Sequence, residues 1–591
     1  MPAHRWLLKT LRPFRASQLL ITFSLLSAGL LSSVDPLIIK WLIDHGFRGA
    51  RVRSILMALG LFVLAYSVRL TLLMIGNMAV AVTCQRVMLR LRLQLATKLT
   101  QCGAGYFDRQ PVGDLVYRLE GDIEQVGHLA TDVLPSLLRV AASALLVAGI
   151  MVSIDPMLAC VTLPFFPLFL VLRARFRPKL ERAAEATRDV AGQRSSYLTE
   201  WLAGVVQIQL LGAERTFLRK LFALCSSTIR AAVSQRRTEL LYAIGSMGLI
   251  ALATIAVLGA GAERVLTHAL TLGGYVAFYT YLTRLFEALS ASVETYWQLK
   301  RATGSVRRLM ELEDVDIPIV DVKSAPSLPA GEVGGLACTG VDFGYPAGRI
   351  VIQGVSLQVN RGDRVAIVGR SGSGKSTLAK LLVRLYDVSG GAILLDGEDI
   401  RDLRLRSVRS SIALVSQNPT LFAGTLAENA RLGSPDASLE DMNRLAVLTC
   451  FDEVLQRFPD GWRHVLGPAG AGLSGGEKKR LALLRGLLLN REVLVLDEVT
   501  SELDPAVERV LLSHLDEYAH DKAIVLITHR TAAALWADRI IALQDGRVTR
   551  VWRRSELDED DPQLERKLWG EDLAIPTEEA YRPESELCSI L

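Results

Sequence analysis

Six long apolar segments constrain this chain most, because a bilayer leaves few structures open to them. They fall near residues 17–43, 54–83, 129–153, 157–172, 238–262 and 272–298. Roughly 20 apolar residues cross the hydrocarbon core as a helix, and backbone groups in lipid must be paired within the protein. The sequence therefore predicts an α-helical membrane domain with six transmembrane helices over residues 1–315.

The placement of Lys and Arg predicts the orientation of these helices. With the N-terminus in the cytoplasm, the inner segments carry 23 basic residues and the outer loops carry four. An excess of basic residues marks the cytoplasmic side. The long inner connections keep apolar residues at helical spacing, so we expect the helices to continue into the cytoplasm, with tips near 113–122 and 204–214. These tips either contact the second half of the chain or are solvated helical hairpins.

Polar residues inside the apolar segments are costly and are therefore candidate functional residues. They are Arg69, Arg139, Arg284 and Glu287. Arg284 and Glu287 are three residues apart on one helix, so they either pair with each other or line a polar cavity.

Charge and cysteine content exclude two classes of protein. Lys and Arg number 67 and Asp and Glu number 62, a surplus too small and too dispersed for a nucleic-acid-binding protein. The seven cysteines form no CxxC pair, which favours reduced thiols over a disulfide framework. We therefore expect no nucleic acid among the partners.

The second half of the chain, residues 316–554, contains a phosphate-binding sequence. The run RVAIVG precedes the loop GRSGSGKST, and an apolar helix follows. Glycines let backbone N–H groups converge on phosphate oxygens, the lysine neutralises the phosphates, and the serine binds Mg²⁺. The predicted nucleotide-binding residues of this loop are Gly369, Arg370, Ser371, Gly372, Ser373, Gly374, Lys375, Ser376 and Thr377.

A second apolar run, VLVLDE, ends in two acidic residues about 120 positions later. Asp497 is placed to hold Mg²⁺, directly or through water, and Glu498 to polarise the attacking water. The alternative for Glu498 is an ordinary surface charge. The phosphate loop at this separation favours the catalytic interpretation.

The complete series of motifs resembles the nucleotide-binding domain of ATP-binding-cassette (ABC) transporters. In order these are GRSGSGKST, Gln417, LSGGE at 473–477, LVLDE, SELD at 501–504 and His529. Six apolar segments followed by such a cassette resemble the half-transporters of the exporter type. The resemblance implies an α/β P-loop ABC ATPase domain after the membrane domain, with ATP and Mg²⁺ as cofactors.

The resemblance also implies roles for residues outside the phosphate loop. Tyr345 would stack on adenine, and Gln417 would contact the metal and link it to the membrane domain. His529 would hold the γ-phosphate and the attacking water, so Glu498, His529 and Gln417 form the expected catalytic set, and Ser376, Gln417 and Asp497 the expected metal ligands.

A dimer follows from the signature motif. Ser474, Gly475 and Gly476 would contact the γ-phosphate of ATP held by a partner subunit, and Asp504 would lie in the loop that communicates between the two sites. Two cassettes would then enclose two ATP molecules. Because Lys375 and Glu498 are both present with His529, a homodimer is favoured over a heterodimer.

Three departures from the family pattern are visible. Glu477 stands where Gln is commoner, and Glu502 stands in place of a small residue. The segment GPAGAG at 467–472 lacks the Glu and Arg often found there, which questions how it contacts the partner. The tail, residues 555–591, is acidic, and we expect a solvated extension.

The resemblance implies an ATP-driven exporter or flippase for a small amphipathic substrate: a lipid, drug, peptide or secondary metabolite. We expect a multi-pass protein of the plasma (inner) membrane, in contact with membrane lipids, with its ATPase in the cytoplasm. The alternatives are an exporter-like importer of metal chelates and a membrane regulatory or assembly ATPase without a transported substrate.

Overall fold

The computed structural model describes residues 3–47, 52–315, 334–345, 348, 350–518, 520–558, 561 and 564–569. The chain forms two compact units. One comprises Met1–Leu99 with Gly113–Val315, and the other comprises Thr100–Val112 with Asp316–Leu591.

Long helices dominate the chain before residue 315. In chain order they are α1 (Ala3–Leu11), α2 (Arg15–Ser32), α3 (Asp35–Trp41), α4 (Val52–Gln101), α5 (Ala104–Phe107), α6 (Val112–Tyr117), α7 (Ile123–His128), α8 (Leu134–Ile154), α9 (Pro156–Thr162), α10 (Phe165–Ala203), α11 (Val205–Leu210), α12 (Glu214–Leu266) and α13 (Leu272–Glu313). Short 3-10 or π turns connect some of them, at Arg12–Phe14, Leu42–Phe47, Arg118–Asp122 and Leu129–Val133.

The membrane helices agree with the predicted segments. Within the described residues, five helical stretches are long and apolar enough to cross a bilayer: Arg5–Phe47, Val52–Gln101, Val112–Ile154, Pro156–Ala203 and Glu214–Leu266. The sixth predicted segment lies in α13, where polar residues interrupt the apolar sequence. Helix α4 has 50 residues, so it is roughly 75 Å long and exceeds the hydrocarbon thickness more than twofold. The predicted extension of the membrane helices is confirmed.

A buried ion pair fixes the end of α13 within the helical unit. Arg308 donates two hydrogen bonds to Asp122, from Nε at 2.8 Å and from Nη2 at 2.6 Å. The Asp122 side chain is fully buried. Bidentate geometry of this kind is among the strong charge-assisted contacts, so it locks the last turns of α13 against the turn that carries Asp122.

The second unit consists of strands and helices that alternate along the chain. The strands are β1 (Gly335–Gly344), β2 (Ile350–Asn360), β3 (Arg364–Val368), β4 (Gly390–Leu395), β5 (Glu398–Asp399), β6 (Ile412–Val415), β7 (Gly424–Thr425), β8 (Val465–Leu466), β9 (Val493–Asp497), β10 (Ala523–Ile527), β11 (Arg539–Gln544) and β12 (Arg547–Arg553). The helices are α14 (Lys375–Leu382), α15 (Leu405–Ser411), α16 (Leu426–Ala430), α17 (Leu439–Leu448), α18 (Asp452–Gln456), α19 (Gly475–Leu488), α20 (Pro505–Tyr518), α21 (Thr531–Leu535) and α22 (Leu564–Trp569).

A six-stranded sheet in the order β12-β11-β3-β10-β9-β6 positions the site. Strands β11, β3, β10, β9 and β6 are parallel, and β12 is antiparallel to β11. The runs RVAIV, VLVLD and AIVLI lack alternation because helices cover both faces of such a sheet. Their carboxyl ends lie at one edge, which brings the loops after β3, β9 and β10 together. A four-stranded sheet has the order β2-β1-β4-β5.

One segment between membrane helices packs within the ATPase unit. The hydroxyl of Tyr386 donates a hydrogen bond to the Asp108 carboxylate, and Ala104 packs against the core beneath the four-stranded sheet. Burial and the Asp108 contact raise the pKa of Tyr386, so it stays a donor at neutral pH. The contact segment is Thr100–Val112, just before the tip that we predicted at 113–122, which belongs to the helical unit.

Part of the acidic tail is packed, which corrects the expectation of a solvated extension for that part. Helix α22 buries Leu564 and Leu568 in a cluster with Ile540 and Trp552. The two leucines are four residues apart and share a face of the helix. Tail residues 570–591 lie outside the described part of the chain.

We predict that Leu568→Ala destabilises the second unit by about 2–4 kcal/mol, because the substitution leaves a cavity in this cluster. Thermal unfolding of the detergent-solubilised protein, followed by tryptophan fluorescence, measures the shift. Glu565→Ala, at an exposed position on the same helix, is the control. Equal midpoints for the two variants would show that α22 contributes nothing to stability.

Candidate functional site

The phosphate loop lies between β3 and α14 and needs glycine at two points. Gly369 has φ +152° and Gly374 has φ +103°. A Cβ on Gly369 would collide with the Leu543 carbonyl oxygen, and one on Gly374 would lie 2.7 Å from Ile352. Arg370, Ser371 and Gly372 are exposed at the tip of the loop. The close approach of neighbouring backbone therefore fixes the curve of the loop.

Lys375 is held inside this loop by backbone carbonyl groups. Its Nζ donates hydrogen bonds to Gly369 O at 2.7 Å and to Arg370 O at 3.0 Å. Burial lowers the pKa of Lys375, while the neighbouring Glu498 and Asp497 oppose this shift. The ammonium is thus placed at the mouth of the loop, between carbonyl oxygens and two acidic residues.

Asp497, at the end of β9, is a buried carboxylate with unused hydrogen-bonding capacity. Its Oδ1 is buried and has no hydrogen-bond partner among the described residues. Burial raises the pKa of Asp497, and a hydrogen bond with the Ser376 side chain counteracts part of the rise. The buried Ser373 Oγ also lacks a partner within that part of the chain. Unpaired buried oxygen atoms next to the phosphate loop indicate a site built for a bound group.

Glu498 follows directly and is turned outward by an unusual backbone conformation. Its φ is +50°, a left-handed value that costs a glutamate about 1–3 kcal/mol and is typical of functional sites. The Gln417 Nε2 donates to Glu498 Oε2 at 2.6 Å, and His529 Nδ1 lies 3.5 Å from the same oxygen. The three residues predicted as the catalytic set therefore converge on one carboxylate oxygen.

Tyr345 lies next to the phosphate loop but is already in contact with other aromatic rings. Its hydroxyl is 3.2 Å from Thr377 Oγ1, and its ring makes edge contacts with Phe343 and Tyr386. The residue is half-buried. Its position next to Thr377 is compatible with the expected adenine contact.

The signature residues form the start of α19, and the structure does not bring them to the phosphate loop of the same chain. Ser474 caps α19, and the Ser474 N–H donates to Glu477 Oε2 at 2.9 Å. No hydrogen bond joins Ser474, Gly475 or Gly476 to the phosphate loop within the described residues. Asp504, in the neighbouring loop, accepts a hydrogen bond from Ala506 N at 2.8 Å.

The atypical Glu477 has a structural explanation. It completes the capping box of α19 with Ser474 and pairs with Arg457 Nη2 at 2.6 Å. Burial alone would raise the pKa of Glu477, but hydrogen bonds from Ser474 and Arg457 lower it overall. A carboxylate at the N-terminus of a helix is also favoured by the helix dipole. Glu477 thus supports the signature loop.

Two basic residues of the site were missed in the sequence. Lys479 is buried, and its Nζ lies 3.1 Å from Glu502 Oε1. Arg530 donates to the carbonyl groups of Thr500 and Leu503 at 3.0 and 2.8 Å. Both hold the loop at 501–504. Their positions close to the motifs, Lys479 after LSGGE and Arg530 after His529, could have indicated a role in the site. Their partners, however, cannot be read from a single sequence.

A polar cluster lies among the membrane helices and contains Arg284, for which pairing with Glu287 was one of two alternatives. Arg69 Nη1 and Arg284 Nη2 lie 2.7 and 3.2 Å from the same oxygen, Oδ2 of Asp35. Glu287 is exposed and forms no ion pair within the described residues. Arg284 pairs with Asp35 on another helix, although Glu287 is nearer in sequence. The buried negative charge of Asp35 requires a positive partner. Arg139 likewise has no ion-pair partner in the described part.

Comparison with known sequences agrees with this architecture. The family model of the ABC transporter transmembrane region matches residues 19–289, and the family model described as ABC transporter matches residues 352–501. An ATP-dependent lipid A-core flippase of Thiobacillus denitrificans is 32% identical over 531 residues, covering 88% of this chain and 90% of the relative.

The chain belongs to the ABC transporter family. A fatty acid ABC transporter ATP-binding/permease protein of Mycobacterium bovis is 29% identical over 480 residues, covering 80% of this chain and 75% of that protein. The structure of a bacterial Atm1-family ABC exporter with ATP bound matches with a TM-score of 0.77 and 26% identity, covering 92% of this chain and 96% of the other.

These matches make the protein a half-transporter of the exporter type, with a multi-pass membrane domain fused to an ATPase domain. It binds ATP and couples ATP hydrolysis to transport. The half-transporter fold implies dimerisation. The fold class predicted from the sequence is confirmed.

We predict that Glu498→Gln lowers ATP turnover about a hundredfold or more, because it removes the general base, while ATP binding persists. Phosphate release and retention of radiolabelled ATP measure the two effects. Glu517→Gln, an exposed carboxylate on α20, is the control. Normal hydrolysis in Glu498→Gln would overturn the catalytic assignment.

We predict that Asp497→Asn raises the thermal midpoint of the nucleotide-free protein and abolishes ATP hydrolysis. Because burial raises the folded-state pKa of Asp497 above its unfolded value, ionisation of Asp497 destabilises the fold at neutral pH. The penalty decreases as the pH falls through the raised pKa towards the unfolded-state pKa, so the difference in midpoint from wild type should shrink as the pH is lowered from neutral. Asp460→Asn, at an exposed position, controls for the general loss of a charge. A midpoint difference independent of pH would contradict the prediction.

Proposed function

We propose that this half-transporter works as a homodimer that exports or flips an amphipathic molecule with an anionic group. The observation that carries the proposal is the polar cluster among the membrane helices, where Arg69 and Arg284 share the single carboxylate of Asp35.

The charges of this cluster do not balance. Arginine stays ionised in proteins, so two guanidinium groups face one carboxylate. The side chains of Arg69 and Arg284 are 20% and 27% exposed, which leaves part of each accessible to a ligand. Uncompensated charge at membrane depth is costly and marks substrate pathways. A carboxylate or phosphate on an amphipathic substrate would supply the missing negative charge.

The relatives support a lipid-like substrate. They include proteins named for lipid A-core and for fatty acid transport, and both substrates are amphipathic. The apolar part of such a molecule would lie against apolar helix faces, and its polar group against the arginines.

The ATPase site supports Mg²⁺ as the partner of ATP. The Ser376 hydroxyl, the Asp497 carboxylate and the Gln417 amide are oxygen donors, which Mg²⁺ prefers, and Asp497 Oδ1 is buried without a hydrogen-bond partner among the described residues. The ion would neutralise phosphate charge. Lys375 would bind the β- and γ-phosphates, and Glu498 would accept a proton from the attacking water.

His529 would orient that water and the γ-phosphate. Ser474, Gly475 and Gly476 would complete the site of the partner subunit, since no hydrogen bond joins them to the phosphate loop of their own chain within the described residues. Each chain carries Lys375, Glu498 and His529, so two identical chains supply two complete sites. We place the protein in the plasma (inner) membrane, among lipids, with the ATPase in the cytoplasm.

Two other functions predict different behaviour. An importer of metal chelates would have its ATPase stimulated by chelates, and a regulatory ATPase would respond to no substrate and would purify with a stable partner protein. The arginine pair favours an anionic amphiphile over both.

We predict that anionic lipids stimulate the ATPase activity of the chain in nanodiscs, whereas zwitterionic lipids do not. Arg284→Gln should reduce the stimulation several-fold with basal activity retained, and Arg284→Lys should restore part of it because the charge returns. Arg236→Gln, an exposed arginine, is the control. Stimulation by chelates alone, or equal stimulation of Arg284→Gln and wild type, would overturn the proposed substrate class.

A further inference from the structure

The carboxylate of Glu502 lies across the first turn of the signature helix. One of its oxygens, Oε1, is 3.1 Å from Lys479 Nζ. The other, Oε2, occupies the space that a Cβ on Gly475 would take, and a Cβ on Gly476 would lie 3.0 Å from the Glu502 carbonyl oxygen. Glu502 is one of the positions where this chain departs from the family pattern.

Lys479 holds the Glu502 carboxylate through a buried ammonium group. Only 5% of Lys479 is exposed, and its ammonium also donates to the Ser501 hydroxyl and, at 3.4 Å, to the carbonyl oxygen of Glu498. The side chain of Glu502, in contrast, is 53% exposed. The cation is therefore fixed, whereas the carboxylate can rotate into solvent without disturbing the interior.

The place where the carboxylate lies is one that attracts anions. Ser474, Gly475 and Gly476 begin α19, a helix of 14 residues, and the N–H groups and dipole of a helix N-terminus favour negative charge. In the ATP sandwich proposed above, the same turn receives the γ-phosphate of the partner's ATP. Carboxylate and phosphate are both negative, so they compete for it.

We propose that Glu502, held by Lys479, is a built-in anionic competitor that must leave the signature turn before the partner's ATP can dock. The Lys479–Glu502 pair then sets the ATP concentration at which the two cassettes close. This inference rests on the proposed ATP sandwich.

A merely structural ion pair makes the opposite prediction. If the pair only braced the loop at 501–504, its removal would loosen the signature helix and weaken cassette closure. If it competes with phosphate, its removal strengthens closure. The direction of the change therefore separates the two roles.

The test measures ATP occlusion, the fraction of radiolabelled ATP retained after rapid gel filtration, in the full-length Glu498→Gln protein. Adding Glu502→Gln should lower the ATP concentration for half-maximal occlusion about threefold, the size expected for a half-exposed ion pair. Glu502→Asp keeps the charge and should stay closer to the parent, and Glu517→Gln removes an equal charge elsewhere and should change nothing. High salt should shrink the difference between parent and Glu502→Gln.

The outcomes are distinct. A lowered midpoint with Glu502→Gln supports the competitor, and an unchanged or raised midpoint overturns it. If the Glu498→Gln parent occludes no ATP at any concentration, the ATP sandwich itself is wrong and the competitor is rejected with it.

Discussion

Electrostatic attraction between Lys375 and two adjacent carboxylates, Asp497 and Glu498 at the end of β9, is the interaction on which the ATPase site depends. Neighbouring residues of a strand point to opposite faces, and the left-handed backbone at Glu498 then turns the chain out of the sheet. Asp497 stays buried beside Ser376, while Glu498 reaches Gln417 and His529. Without phosphate charge to balance, this arrangement strains the fold: a buried acid has a raised pKa and a buried base a lowered one. The same groups would become favourable if phosphates and the proposed Mg²⁺ were bound, so the site would gain stability from its ligand.

One segment of the ATPase unit comes from the part of the sequence between two membrane helices. Helix α4 leads directly into the segment Thr100–Val112, which belongs to the ATPase unit and meets Tyr386 through Asp108. Tyr386 touches Tyr345, which in turn touches Thr377 in the phosphate loop. A chain of contacts therefore runs within the ATPase unit from the phosphate loop to Asp108.

Local signals in the sequence were sufficient for the motifs and the membrane helices, because length, hydropathy and loop spacing are encoded within short windows. Partners distant in sequence were not. Asp35 pairs with Arg69 and Arg284 across 34 and 249 residues, whereas the sequence offered only the nearer Glu287 as a possible partner for Arg284. The tail shows the same limit: its acidic composition suggested solvation, yet two leucines one helical turn apart pack on the sheet. The segment that packs within the ATPase unit lies about ten residues before the predicted tip at 113–122. Its contacts, Ala104 with the core and Asp108 with Tyr386, involve residues that come together only in the folded cassette.

Two of the three departures from the family pattern, Glu477 and Glu502, form one electrostatic arrangement. Glu477 is matched by Arg457 and Glu502 by Lys479, so each added acid at the start of α19 has its own cation. The signature turn therefore remains attractive to anions although two carboxylates lie on it. The two pairs differ in mobility, since Glu477 is tied into the capping box and nearly buried while Glu502 is half exposed. A ligand shifts a conformational equilibrium only through its different affinity for the two states. If the Glu502 carboxylate rotates away, phosphate binds the signature turn more tightly than when the carboxylate is in place. Lys479 also connects this turn to the backbone of Glu498, because its ammonium donates to the Glu498 carbonyl oxygen. The signature turn and the catalytic acid thus share a single buried ammonium group, through which a change at one can be felt at the other.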